Sequence, residues 1–507
     1  MTEQGRQSAV QNLVDWALAR PARAFRAFVC LHVVAWSLTA ILVQPNLPLD
    51  VIEQLAWARD PQWVYFKHPP LVAWILGAVD RITGGAATAM HLVGPLAAGL
   101  AFWALWRLAT TVAGPQRGLI AVLLLEGVIY FNITTPEFNH NVIQLPLWSL
   151  IAYAAHRALR QGRSIDWVAT GLLGAVGLYA KYSTVLPLAA LGLFILLNRQ
   201  ARRHLAGPGP YLGAAVALLA LAPQLWALHR IDYLPFHFPF ERAAPATVWY
   251  QHLLFPLDFA GAQLLAIAAA LLLIALLRVG RDRARIEAGA VDPFDRAYVM
   301  AMGLGPFALT LAFSGLLGLD LQSMWGAPMW CLLGLVAMVL LPAGISAAAL
   351  RRFAVAWLLV FALALAVFAG SKLAGPHLRD KGGRVHFPGA ALAEEITARW
   401  QQAYPDRRLD IVIGKHWIAG NVSFYSDARP SIMINGRQEI SPWIDDRRLA
   451  DHGAVIVWEV GSDDPTPEQI LAPFPDAVIQ APFRLPWRVG AALPAIEFGW
   501  AILPPNP

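Results

Sequence analysis

Hydrophobic positions fall in long runs through the first three quarters of the chain, and polar residues are confined mostly to the gaps. Apolar runs occupy about 27–44, 88–111, 118–134, 142–158, 166–180, 184–198, 211–228, 258–278, 297–313, 326–342 and 353–371. Helical runs of roughly 17–22 residues cross a hydrocarbon core of about 30 Å, so the pattern predicts roughly eleven transmembrane spans. A shorter run at 71–79, ending at Asp80 and Arg81, is too short to span and predicts a helix lying at the interface. Beyond Lys372 the pattern changes. Short β-type runs at 409–413 and 454–458 are separated by helix-like stretches such as 390–404. The expected architecture is a polytopic α-helical membrane protein with interfacial helices in its first external loop, covering 1–371. A soluble α/β domain covering 372–507 follows it.

Composition supports the membrane reading: 57% of the residues are hydrophobic and 14% charged, against about a quarter charged in soluble domains. The basic pI near 9.4 does not point to nucleic acid, because the cations sit in short loops as orientation signals do. Arg20, Arg23 and Arg26 precede the first run, and Arg117 follows the second. Arg157, Arg160 and Arg163 follow the fourth, and Arg199, Arg202 and Arg203 the sixth. Arg278, Arg281, Arg283 and Arg285 follow the eighth, and Arg351 and Arg352 the tenth. With alternating spans all of these loops share one side, which is then cytoplasmic. The expected location is a bacterial inner membrane, with the N-terminus cytoplasmic and the C-terminal domain periplasmic. The polar, Arg-bearing N-terminus reads as a retained segment rather than a signal peptide. Cys30 and Cys331, each in an apolar stretch, give neither a disulfide framework nor metal-ligand spacing.

Unusual polarity gathers on the other side. The first loop carries Asp50 and Glu53, then Tyr65-Phe66-Lys67-His68-Pro69-Pro70-Leu71. The loop after the third run reads Pro136-Glu137-Phe138-Asn139-His140-Asn141, and the fifth run ends in Tyr179-Ala180-Lys181-Tyr182. Carboxylates and lysines at a membrane boundary are costly unless paired, so they predict a polar cavity suited to an anionic, phosphate-bearing substrate. Arg242, in a long loop with His237 and Glu241, is a further cation for phosphate. Simpler roles compete. Asp50 follows Asn46-Leu47-Pro48-Leu49 as a helix N-cap would, Lys67 and Lys181 suit interface markers, and Glu137 suits an ordinary loop residue.

Asp50, followed eighteen residues later by His68-Pro69-Pro70-Leu71 and Trp74, resembles the first-loop signature of C-type glycosyltransferases. The group is the protein-mannosyltransferase-like one, which includes lipid A aminoarabinose transferases and rhizobial galacturonosyltransferases. Pro136-Glu137, Gly177 to Tyr182, Lys415-His416-Trp417, Ser423-Phe424-Tyr425, Arg429-Pro430 and Ser441-Pro442-Trp443 are similar to later segments of that group. The sequence departs from the common form in three places. Val51 follows Asp50 and the glutamate is displaced to Glu53; the second acid is Glu137; and Lys67 precedes His-Pro-Pro where many members carry Asp.

The resemblance implies an inverting polyprenyl-phosphate-sugar-dependent glycosyltransferase, hexosyl or pentosyl, acting at the periplasmic face. Its donor is a polyprenyl-phosphate-linked sugar, and its acceptor is lipid A, another lipid, a glycan or a protein. Membrane lipids are its other partners. Asp50 is then the general base, Glu53 and Glu137 supporting or metal-candidate carboxylates, and Lys67, His68, Lys181 and Arg242 the donor-phosphate residues. A divalent cation held by Asp50 and Glu137 is compatible with this reading, although two carboxylates alone do not define a metal site. Aminoarabinose, galactosamine, mannose, galacturonic acid and arabinose all fit. The competing class is a secondary transporter or lipid flippase, which predicts polar groups at both faces and an internal repeat.

Overall fold

The structure is a computed structural model that describes residues 3–237, 242–278, 284–287, 290–341, 344–378, 382–461, 465–489 and 493–506. Arg281, Arg283 and Glu241 lie outside the described residues. The chain forms two compact units. The first comprises 1–38, 67–69 and 92–367, and the second 39–66, 70–91 and 368–507. The first-loop segments thus group with the C-terminal residues.

The first unit is helical. Among the described residues five helices are long and apolar enough to cross a membrane: Pro21–Val43, Ala87–Ala113, Gly209–Arg230, Pro293–Leu317 and Ala347–Leu373. Three further helix pairs are bent by 91°, 61° and 54° at short breaks, and counting each pair once raises the number to eight. Ser164–Ala180 is apolar but shorter. Length and apolarity therefore give five to eight spans where the hydropathy runs predict eleven. Many exposed positions are large apolar residues that a soluble protein would bury, including Leu219, Leu265, Leu316 and Leu359. Such a surface is stable against lipid tails, and it makes the chain a polytopic membrane protein. Inside, Phe102, Leu105, Phe131, Tyr298 and Leu335 form part of one continuous core.

One expected span is broken for an identifiable reason. The apolar run at 118–134 predicts a single helix, but the α-helix Pro115–Leu124 gives way to 3-10 turns at Leu125–Gly127 and Ile129–Phe131. Glu126 is fully buried at the break, with Oε2 2.9 Å from His32 Nδ1. Asn132 donates its amide to the Glu126 carbonyl at 2.7 Å. A carboxylate this deep needs such partners, and meeting them interrupts the helix. Arg117 also differs from an ordinary loop cation. It is buried and donates to the Met338 and Leu341 carbonyls, both at 3.0 Å, at the end of helix Leu333–Leu340. A cation there satisfies carbonyls that the helix leaves without partners. Two short strands, β1 (Ala284–Ile286) and β2 (Ile345–Ser346), pair antiparallel.

The second unit holds a six-stranded sheet: β3 (Ile411–Gly414), β4 (Ser431–Ile434), β5 (Ala454–Glu459), β6 (Val478–Ile479), β7 (Phe483–Leu485) and β8 (Ile496–Leu503). The order is β4-β3-β5-β8-β6, with β7 also on β8; β3 is parallel to β4 and β5, and β8 antiparallel to its neighbours. Helices Gly389–Ala403 and His416–Tyr425 precede and follow β3. The parallel strands β3, β4 and β5 are mostly apolar and buried at nearly every position, as parallel strands covered on both faces are. Helices Leu49–Trp57 and Leu71–Thr83 of the first loop belong to the same unit.

Candidate functional site

In the first unit the polar residues meet around His68. Two successive prolines, Pro69 and Pro70, keep the backbone out of helix until Leu71, because proline supplies no N–H and restricts the residue before it. The His68 ring stacks on that of His140, with centroids 4.0 Å apart and planes at 29°. His140 Nε2 lies 3.3 Å from the Pro69 carbonyl, a contact that only the Nε2–H tautomer makes as a hydrogen bond.

Burial pushes the His68 imidazole well below its usual range, and His140, Lys67, Lys181 and Arg242 push it the same way. The four cations and histidines named by the sequence, Lys67, His68, Lys181 and Arg242, are thus within one electrostatic field. His68 is held neutral, so it would meet a phosphate as a hydrogen-bond donor, while the lysines and Arg242 supply charge. His140 is lowered to about 3 by burial first, then by Lys181, against the Pro69 contact.

His140 comes from a loop built by its own polar side chains. Asn132 Oδ1 accepts from the Ile133 amide at 2.6 Å, and Thr135 Oγ1 donates to the Asn132 carbonyl at 2.8 Å. Asn139 Oδ1 accepts from the Asn141 and Val142 amides at 2.9 and 3.2 Å, setting the turn into helix Gln144–Gln161. Glu137 sits in this loop, partly exposed, with its backbone amide 3.3 Å from the Thr134 carbonyl.

Acidification is expected to loosen this loop. A folded pKa of about 3 for His140 lies below the unfolded value of about 6.5. Its stabilising contribution is therefore complete above pH 6.5 and is lost progressively as pH falls towards 3. Within that window each pH unit costs up to about 1.4 kcal/mol. The melting temperature should drop more between pH 7.5 and 5 in the wild type than in His140→Gln, and equal slopes would contradict the assignment.

Lys181 stands where helix Ser164–Ala180 ends. Gln144, fully buried, holds that end: its Nε2 donates to the Gly177 and Lys181 carbonyls at 3.3 Å and to Thr184 Oγ1 at 2.8 Å, and its Oε1 accepts from Ser183 Oγ at 3.1 Å. Lys181 Nζ donates to Asn141 Oδ1 and lies 5.6 Å from the centre of the Trp325 ring. The amine is thus built into the loop cluster, unlike that of a lysine reaching for the interface. Arg242 is exposed, and its carbonyl accepts from Gln322 Nε2 at 3.3 Å.

The first-loop carboxylates belong to the second unit. Asp50 lies in the first turn of helix Leu49–Trp57, whose N-cap position is Pro48 and carries no side-chain cap hydrogen bond, so Asp50 is not the N-cap. Glu53, one turn on, is buried, and its Oε1 lies 3.7 Å from His416 Nε2. The carboxylates expected to share a divalent cation, Asp50 and Glu137, fall in different units. Among the described residues no three His, Cys, Asp or Glu side chains are grouped as metal ligands.

Comparison with known proteins points to the same class as the first-loop motif. Residues 67–226 match the model of the dolichyl-phosphate-mannose-protein mannosyltransferase family. This span includes Lys67, His68, Glu137 and Lys181, and leaves out Asp50, Glu53 and Arg242. The chain is similar to a C-type glycosyltransferase of the lipid A-modifying kind. Two particular proteins are similar to this chain, one in sequence and one in fold. The lipid A galacturonosyltransferase RgtD of Rhizobium johnstonii is 27% identical over 183 residues, which is 35% of this chain and 37% of RgtD. ArnT from Cupriavidus metallidurans, in its crystal structure bound to undecaprenyl phosphate, superposes with a TM-score of 0.61 at 14% identity, over 95% of this chain and 97% of that one. At that identity the likeness establishes a shared fold.

Proposed function

We propose that the protein is an inverting glycosyltransferase that takes a sugar from a polyprenyl-phosphate donor at the periplasmic face of a bacterial inner membrane. The observation that carries this reading is the grouping of Lys67, Lys181 and Arg242 around the neutral His68 of the His-Pro-Pro motif. A lipid-linked phosphate needs fixed positive charge beside an apolar surface, and the helical unit offers both. That RgtD acts on lipid A, and that ArnT has been seen with undecaprenyl phosphate, adds weight to a lipid-linked donor and a lipid A-like acceptor.

In this mechanism the Asp50 carboxylate takes the proton of an acceptor hydroxyl as its oxygen attacks the anomeric carbon. The new carbon–oxygen bond forms as the bond to the phosphate oxygen breaks, so one displacement inverts the anomeric centre, as in inverting glycosidases. The polyprenyl phosphate leaves with an added negative charge. Lys67, Lys181 and Arg242 offset that charge, and His68 donates a hydrogen bond. Glu53, beside His416, supports the first-loop helix, and Glu137 contributes to the polar loop.

Replacing Lys181 by Ala is expected to weaken donor use about 10- to 100-fold in kcat/KM, the scale of losing one charge-assisted contact to a phosphate. Steady-state kinetics with a polyprenyl-phosphate-linked sugar test it, and unchanged donor KM and kcat would leave Lys181 only the loop-bracing role of its contact with Asn141. The function itself is tested by incubating the purified protein with such donors and an envelope lipid. Sugar appearing on the lipid supports transfer, while donor carried across a vesicle membrane without chemistry would favour a transporter.

A further inference from the structure

We propose that the C-terminal residues Asn421 and Tyr425 are positioning residues that set the placement of the Asp50 carboxylate. The inference rests on the assignment of Asp50 as the base. Backbone groups of Pro45, Asn46 and Leu47, which precede Pro48 and helix Leu49–Trp57, are held from the C-terminal part of the same compact unit. Arg488 donates to the Pro45 carbonyl at 2.9 Å, and the Asn46 amide donates to the Val385 carbonyl at 3.0 Å. The fully buried Asn46 side chain donates to Asn421 Oδ1 at 3.1 Å, while Asn421 Nδ2 donates to the Trp417 carbonyl at 2.7 Å. The Leu47 amide donates to the Tyr425 hydroxyl oxygen at 3.0 Å. Asp50 follows three residues later, in the first helical turn.

The flank of the helix is set too. Gly420 faces Ile52 so closely that a β-carbon there would stand 2.8 Å from Ile52 Cγ2, which fixes the distance between the two helices. The far end is clasped by one guanidinium. Arg448 contacts Asp60 at 3.1 Å, Asp410 at 3.0 Å, Ser431 Oγ at 2.8 Å and the Trp443 carbonyl at 3.2 Å. A short helix of nine residues contributes little stability by itself in water. Its height and rotation are therefore dictated by what grips its ends. A general base misplaced by about 1 Å loses on the order of a hundredfold in rate, so the grip acts on turnover rather than on donor binding. Asn421 and Tyr425 make two of these contacts, and a single substitution removes either without leaving a charge unpaired.

The test uses the full chain, with Tyr425→Phe and Asn421→Ala each made alone and in the Asp50→Glu background, where the base is already displaced. Tyr425→Phe removes one oxygen and keeps the ring, so it remains informative if Asn421→Ala fails to fold. The expected result is a kcat lowered about 10- to 100-fold, a donor KM within about twofold, and less than about threefold further loss in the Asp50→Glu background. Wild-type kcat in the single variants, or losses that multiply in full with that of Asp50→Glu, would overturn the proposal. Asp50→Asn, assayed in parallel, separates the two failures. If that variant turns over normally the base assignment falls and the positioning role with it, whereas an inactive Asp50→Asn beside unaffected Tyr425→Phe overturns the positioning role alone.

Discussion

Asp50→Asn is expected to lower sugar transfer by about 10³-fold, within the 10²–10⁴ range that a positioned general base supplies, while leaving folding and membrane insertion unchanged. The two halves of that expectation have separate physical grounds. The chemical half follows from the loss of the only ionisable function at a position that resembles the family's first-loop acid. The structural half follows from the helix itself. Pro48 rather than Asp50 is the N-cap, and Asp50 is partly exposed in the first turn. A carboxylate there stabilises the helix through its dipole by about 0.3–1 kcal/mol, and Asn keeps the size and shape of the side chain. Equal yields and melting temperatures, with transfer measured from a labelled polyprenyl-phosphate sugar, would show the two effects apart. Normal turnover would remove Asp50 as the base.

Gly94→Val is expected to be the most disruptive substitution near the polar loop. Gly94, in helix Ala87–Ala113, lies against the loop that carries Glu137 and His140. A β-carbon there would overlap the Thr135 carbonyl oxygen and stand 2.8 Å from its carbon. The obstacle is backbone, so no rotamer change relieves it, and Thr135 is itself tied to Asn132. The cost should reach or exceed the upper end of the roughly 1–3 kcal/mol usual for overpacking, and the displaced loop would carry His140 away from His68. Gly192→Ala is the control. Gly192 lies in helix Val185–Leu197 with nothing within 4 Å of an added β-carbon, and alanine there should be neutral or stabilising by up to about 1 kcal/mol. A fall in melting temperature and folded yield for Gly94→Val, absent from Gly192→Ala, is the expected outcome. Equal stability of the two would show that the loop does not lean on that helix.

How much of this was legible in the sequence depends on whether the signal is local. The apolar runs are local, and each overlaps one or more helical segments. The strands at 409–413 and 454–458 emerged as β3 and β5, and the helix at 390–404 as Gly389–Ala403. The helical pattern after Asp50 and the short run at 71–79 likewise became Leu49–Trp57 and Leu71–Thr83. What escaped has partners far along the chain. The helix break at Leu125–Gly127 depends on His32, ninety-four residues away, and averaging Glu126 into an apolar run hides it.

Gln144 reads as one polar residue at the start of an apolar run, yet it braces the end of another helix at Lys181. Arg117 counts as an orientation signal until its contacts with Met338 and Leu341 are seen. Within the site, Lys67 and Lys181 stood out because charge at a membrane boundary is costly, and His68 through its His-Pro-Pro motif. His140 and Asn141 were part of the same polar loop, but their roles follow from a ring stack and a hydrogen bond that spacing does not encode. The grip of Asn421 and Tyr425 on the first loop spans more than 370 residues of chain, and no periodicity reports it.

The most direct test of the central claim is mass spectrometry of envelope lipids from a deletion strain and from the same strain restored with wild type or with Asp50→Asn. A sugar-sized mass is expected to disappear from a lipid on deletion, return with the wild-type protein and stay absent with Asp50→Asn. Its return with Asp50→Asn would contradict the account and give ground to a transporter.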